Sequence, residues 1–147
     1  MANYYPKDYT ARDFPYLSHV SPQTMDLIHE KILQLLVIGK KYRDSSYTAK
    51  RLAADLQTNT RYVSAVINVR FHTNFTSLVN KYRVEEAMVI LRDSRYKELT
   101  VEQVGDKVGF TSRQTFYAAF NRINGCSPRE YQVRTLENEE AGTAPKD

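Results

Sequence analysis

Two stretches of this chain spell the same small structure. LAADL at 52–56 matches VGDKV at 104–108, an offset of 52, and Val63 and Ile67 fall opposite Phe116 and Phe120, an offset of 53. The extra residue lies between the two matched parts, where a turn belongs. Each copy therefore reads as a short helix, a tight turn and a second helix. That is the helix-turn-helix pattern, in which the first helix and the apolar face of the second pack together. A chain built around two such copies is constrained to be all-α.

The remaining sequence fits about seven helices. Ser21-Pro22 starts the first, since serine caps well and proline suits the first helical position. Met25, Ile28, Ile32 and Leu35/Leu36 form its apolar stripe, and it should end near Gly39 to Tyr42. Thr48 caps AKRLAADL, Gln57-Thr58-Asn59 breaks it, and TRYVSAVINVR follows. Phe75 to Leu91 reads as one longer helix ending at Arg92-Asp93-Ser94. Thr100 with Gln103, and Ser127 with Glu130, have capping-box spacing. Gly109 suits the left-handed conformation that ends a helix, and Asn124-Gly125 is a second stop. These boundaries predict an extended arm or linker over 1–20, a first helix-turn-helix subdomain over 21–74 and a linker helix over 75–93. A second subdomain over 94–135 and a disordered acidic tail over 136–147 complete the chain.

Within GFTSRQTFYAAFNRINGCSP, at 109–128, Phe116, Phe120 and Ile123 recur at helical spacing and are expected to anchor the helix. Arg113, Gln114, Tyr117 and Asn121 fall off that line. In helix-turn-helix units the second helix leaves its N-terminus and outer face open to the major groove. The amides near Thr111 and Ser112 would suit a phosphate.

The wording of the second unit resembles the AraC/XylS family of bacterial transcription regulators. VGDKVGFTSRQTFYAAFNRINGCSPREYQ follows that family's motif through Gly109, Phe110, Phe116, Phe120, Gly125, Ser127, Pro128 and Tyr131. FTSLVNKYRVEEAMVIL looks like its linker helix, and the resemblance spans about residues 24 to 134. It implies two helix-turn-helix subdomains whose recognition helices enter major-groove half-sites about one turn, roughly 34 Å, apart. Departures exist. Val104-Gly105 stands where Ile-Ala is usual, and glycine costs roughly 0.5–1 kcal/mol of helix stability against alanine, so the second unit is expected to be looser. Ala65 and Ala118 are expected at outer positions that often carry arginine, and Asn121 replaces a common lysine. The glycine usual after the first recognition helix is missing at about His72.

Candidate base contacts are Thr60, Arg61 and Ser64 in the first unit and Arg113, Gln114, Thr115 and Tyr117 in the second. Arginine can bond guanine and glutamine adenine in bidentate fashion. Lys50, Arg51, Arg70, Lys81, Lys107, Ser112, Asn121 and Arg122 are candidate phosphate contacts, supplying the salt-sensitive, sequence-independent part of binding.

Charge points the same way. The net charge is +4. Glu137, Glu139, Glu140 and Asp147 against Lys146 leave the last twelve residues at −3, so the preceding body carries +7. A basic body suggests a polyanionic partner. His19, His29 and His72 are too scattered for metal-ligand spacing. Cys126, alone, reads as structural, and no acid/base pair or glycine-rich phosphate loop suggests an enzyme or a cofactor. No stretch approaches a membrane span and no secretory signal is visible, so a cytoplasmic protein is expected. The expected function is a sequence-specific, DNA-binding transcription regulator, with double-stranded DNA and RNA polymerase as partners. The alternative is a protein-interaction module that keeps the helix-turn-helix core but binds another regulator or RNA polymerase.

Overall fold

The computed structural model describes residues 21–142; the expected arm over 1–20 and residues 143–147 lie outside the described residues. Seven α-helices and no strand occur among them. They are α1 (Pro22–Leu33), α2 (Ala49–Asp55), α3 (Thr60–Phe71), α4 (Phe75–Leu91), α5 (Val101–Val108), α6 (Arg113–Asn124) and α7 (Pro128–Gly142). A π-helical turn, Gln34–Ile38, extends α1, and short 3-10 turns occupy Lys41–Arg43 and Ser94–Tyr96.

Capping residues set most of these boundaries. Ser21 Oγ accepts the Thr24 amide at 3.1 Å, Thr48 Oγ1 that of Arg51 at 3.2 Å and Asn59 Oδ1 that of Tyr62 at 2.8 Å. Thr100 and Gln103 form a reciprocal capping box, each side chain bonding the other's amide at 3.1 and 2.8 Å. Such a side chain satisfies an amide that has no carbonyl behind it, worth about 1 kcal/mol.

The chain divides into two compact units, with the boundary inside α4 rather than at its ends. The first takes the described residues to Tyr42 and resumes over Ser46–Val79. Its core includes Ile32, Leu36, Leu52, Val63, Val66 and Ile67, each completely buried. Here α1 packs against α3. Asp26 pairs with Arg70 at 2.7 Å, and the His29 and Phe71 rings meet edge-on at 4.5 Å. Ala65, expected at an outer position, is completely buried in this unit. A single alanine has no stripe of its own, and both α1 and α2 pack on α3, so which faces are closed is set by tertiary packing.

The second unit takes Arg43–Ser45 and the residues from Asn80 onward. Arg43 grips the Glu86 carboxylate with two nitrogens. Arg83 donates to the Asp44 carbonyl at 3.2 Å and lies over the Phe110 ring. The core is aromatic: Phe110 meets Phe116 at 5.1 Å, Phe116 meets Phe120 at 5.9 Å, and Phe120 meets Tyr131 of α7 at 5.5 Å. Fully burying one such ring contributes about 1.5–3 kcal/mol. Ile123, expected to anchor α6, is 42% exposed, and Ala119 takes the inward place at 5%. The turn between positions 120 and 123 carries the isoleucine past the edge of the apolar stripe.

Over residues 136–142 the chain is helical where the sequence predicts a disordered tail. Ser127 Oγ caps α7 through the Glu130 amide, and the helix runs on through Glu137 to Gly142. Glutamate is a good helix former, and Arg134 pairs with Glu130 one turn away.

The backbone repeats as the sequence does. Gly109 and Gly125 end α5 and α6 in the left-handed region, with φ of 110° and 73°. The matching residues of the first unit, Gln57 and His72, both have φ of 57°. The first copy holds the same path without glycine.

Candidate nucleic-acid interface

The second unit offers α6 behind a tight turn. Gly109 leaves the helix line, Phe110 turns back into the core, and Ser112 opens α6 by accepting the Thr115 amide at 3.2 Å. The Thr115 hydroxyl donates to the Ser112 carbonyl at 2.9 Å. The first amides of any helix lack an intrahelical carbonyl, so those of Arg113 and Gln114 point out of the helix start. Phe116, Ala119 and Phe120 fasten the inward face.

Arg113, Gln114 and Thr115 are all exposed on the opposite edge, together with Ala118, Asn121 and Arg122. Tyr117 is half-buried, edge-on to Phe116 at 6.0 Å. Its ring carries the Arg113 guanidinium at 4.8 Å. The Arg113 Nε also lies 3.4 Å from Glu102 Oε1 of α5. Glu102 was not among the residues read from the sequence. It stands eleven positions before Arg113, and only the turn brings the two together.

In the first unit, Thr60, Arg61 and Ser64 are exposed along the start of α3. The Ser64 carbonyl accepts a bond from the Asn68 amide group at 2.8 Å. Lys50 and Arg51 are exposed on α2, with Arg51 over the Tyr47 ring. Tyr47 donates to Asp55 Oδ2 at 2.8 Å, tying the approach to α2 to the end of that helix. Burial first, then Asp55, pushes the Tyr47 phenol far above its ordinary pKa of 10, with Arg51 opposing. Lys81 and Lys107 are exposed on α4 and α5. Arg70 is different: its guanidinium is held by Asp26 and reaches the Pro22 carbonyl at 3.4 Å, so its contacts fasten α1 to α3.

Two units, each with a short helix, a left-handed turn and a capped second helix whose polar edge is open, define a helix-turn-helix protein. A family model described as a helix-turn-helix domain matches residues 52–134, more than half of the chain. The chain belongs to the AraC/XylS-type helix-turn-helix family of DNA-binding transcription regulators. It is 34% identical over 101 residues to an uncharacterized HTH-type transcriptional regulator of Mycobacterium tuberculosis, a match covering 67% of this chain and 28% of that protein. It is 23% identical over 109 residues to the HTH-type transcriptional regulator AlkR of Acinetobacter baylyi, covering 74% and 35%. The chain thus spans about a third or less of the length of these relatives. Among solved structures, the C-terminal domain of AraT, a response regulator from Geobacillus stearothermophilus, superposes with a TM-score of 0.62 at 25% identity, covering 79% of this chain and 88% of that one. The C-terminal domain of the response regulator yesN from Fusobacterium nucleatum gives 0.61 at 25%, covering 71% and 98%.

Proposed function

We propose that this chain binds double-stranded DNA and regulates transcription, with α3 and α6 each reading one major-groove half-site. The observation that carries this reading is the start of α6. Arg113, Gln114 and Thr115 stand exposed along its first turn while Phe116 and Phe120 lock the opposite face. Arg113 supplies a guanine fork and Gln114 an adenine pair; Thr115 and Tyr117 reach a base edge or a thymine methyl. Thr60, Arg61 and Ser64 do the same from α3.

Lys50, Arg51, Lys81, Lys107, Asn121 and Arg122 contact phosphates, and Ser112 stands where the first amides of α6 meet one. Arg70, paired with Asp26, supports α3 from α1 and is left out of this phosphate set. The protein acts in the cytoplasm, where it places a surface for RNA polymerase beside the promoter.

Binding to random 25-base-pair duplexes at two salt concentrations, followed by selection of the tight fraction, tests this. Salt-sensitive binding with an enriched motif of two half-sites about one turn apart is the expected result. No binding at low salt would sink the reading.

A further inference from the structure

We propose that Glu102 is a positioning residue for base recognition: it holds Arg113 by its Nε edge and directs the terminal nitrogens toward guanine. This inference rests on α6 being the DNA-reading helix. Arg113 is the first residue of α6. The positive end of the helix dipole disfavours a cation there, and an exposed arginine has many rotamers to lose on binding.

Two groups restrain it. Tyr117, one turn on, lies beneath the guanidinium at 4.8 Å, and Tyr117 is itself set edge-on against the fully buried Phe116. Glu102 approaches from α5, with Oε1 3.4 Å from Nε. A carboxylate on Nε leaves Nη1 and Nη2, a donor pair that fits O6 and N7 of guanine. The ring restrains the guanidinium from one side, and the ion pair at 3.4 Å draws its Nε edge toward α5.

Thr100 and Gln103 close the capping box of α5, so Glu102 is not needed as a cap, although its charge in the first turn also suits the helix dipole. Its side chain is 49% exposed, so the pair contributes little to stability. Its charge has a second effect. A carboxylate beside the reading edge repels phosphate and weakens binding to unrelated DNA, while the ordered arginine sharpens the preference for guanine. Removing the charge should therefore lower discrimination at the guanine while tightening binding to unrelated DNA, a combination a purely structural residue would not give.

The test uses the full chain and the duplex selected by the wild type. Dissociation constants are measured for wild type, Glu102→Gln, Arg113→Ala and the double variant, on that duplex, on duplexes with each base pair of the α6 half-site replaced, and on an unrelated duplex. Glu102→Gln is expected to lower discrimination at one guanine about fivefold and to tighten binding to the unrelated duplex about threefold. In the Arg113→Ala background Glu102→Gln should cost no further discrimination. Arg113→Lys keeps the charge but lacks Nε, so it should lose both the guanine preference and its dependence on Glu102. Unchanged discrimination in Glu102→Gln, or an equal loss with and without Arg113, overturns the proposal alone. Failure of the wild type to select any motif overturns the DNA reading as well.

Discussion

A Cβ added to Gly105 would lie 2.6 Å from Cδ2 of Phe116, so the phenylalanine ring fills the space that an alanine methyl would need. Glycine at 105 therefore has a packing reason beside its cost to the helix. Its helix penalty is set against a close aromatic contact in the core. The first unit solves the same position differently: Ala53 stands where Gly105 does, and the smaller Val63 stands where Phe116 does. Gly105→Ala is therefore expected to destabilise the protein by about 1–3 kcal/mol in urea unfolding, although alanine is the better helix former. Combining it with Phe116→Leu should recover part of that loss, as a double-mutant cycle would show.

The left-handed positions carry opposite expectations in the two units. His72→Gly and Gln57→Gly remove a strain of roughly 1–2 kcal/mol, partly offset by the greater freedom of glycine in the unfolded chain. Each should raise the unfolding midpoint modestly. Gly125→Ala should cost about 1 kcal/mol of stability and lower the midpoint, although nothing lies within 4 Å of the added Cβ. The cost there is purely one of backbone conformation.

Arg61→Ala and Arg113→Ala should relax preference in different half-sites, each by about 1–3 kcal/mol for the guanine concerned. Lys107→Ala should instead weaken all sequences alike and flatten the salt dependence by about one phosphate contact. Quantitative binding to a panel of single-substituted duplexes separates the two behaviours. A base-specific loss for Lys107→Ala would contradict the assignment.

Tyr47 makes stability depend on alkaline pH. In the unfolded chain its phenol ionises near the ordinary value of 10; in the folded chain burial and Asp55 keep it protonated well beyond that. The folded state then binds more protons, so this contribution is present below pH 10 and is lost as pH rises above it. Tyr47→Phe should lose stability near neutral pH through the missing bond to Asp55, and should fall less steeply than wild type above pH 10. Parallel unfolding curves across that range would refute the assignment.

What could be read from sequence was local. Ser21, Thr48, Thr100 and Ser127 announced helix starts because a capping oxygen acts within three residues, and Gly109 and Gly125 announced stops because their conformation excludes most side chains. The spacing of Phe116 and Phe120 likewise fixed which side of α6 faces inward, and so which residues stand on its open edge. What escaped was non-local. The burial of Ala65 belongs to the unit in which α1 packs on α3, and the contact between Glu102 and Arg113 forms only once the turn has closed. Gln57 and His72 sit in glycine-like conformations that their own chemistry does not advertise, although their alignment with Gly109 and Gly125 in the repeat points to them.

That alignment makes the two halves unequal under mutation. At positions 109 and 125 almost any replacement trades a permissive residue for a constrained one, so a saturation scan should find both intolerant. At 57 and 72 the backbone penalty is already present in the protein as it stands, and exchange among side chains adds little to it. The same curve of chain is thus brittle in one copy and forgiving in the other, and the forgiving copy offers engineers the safer place to introduce new sequence.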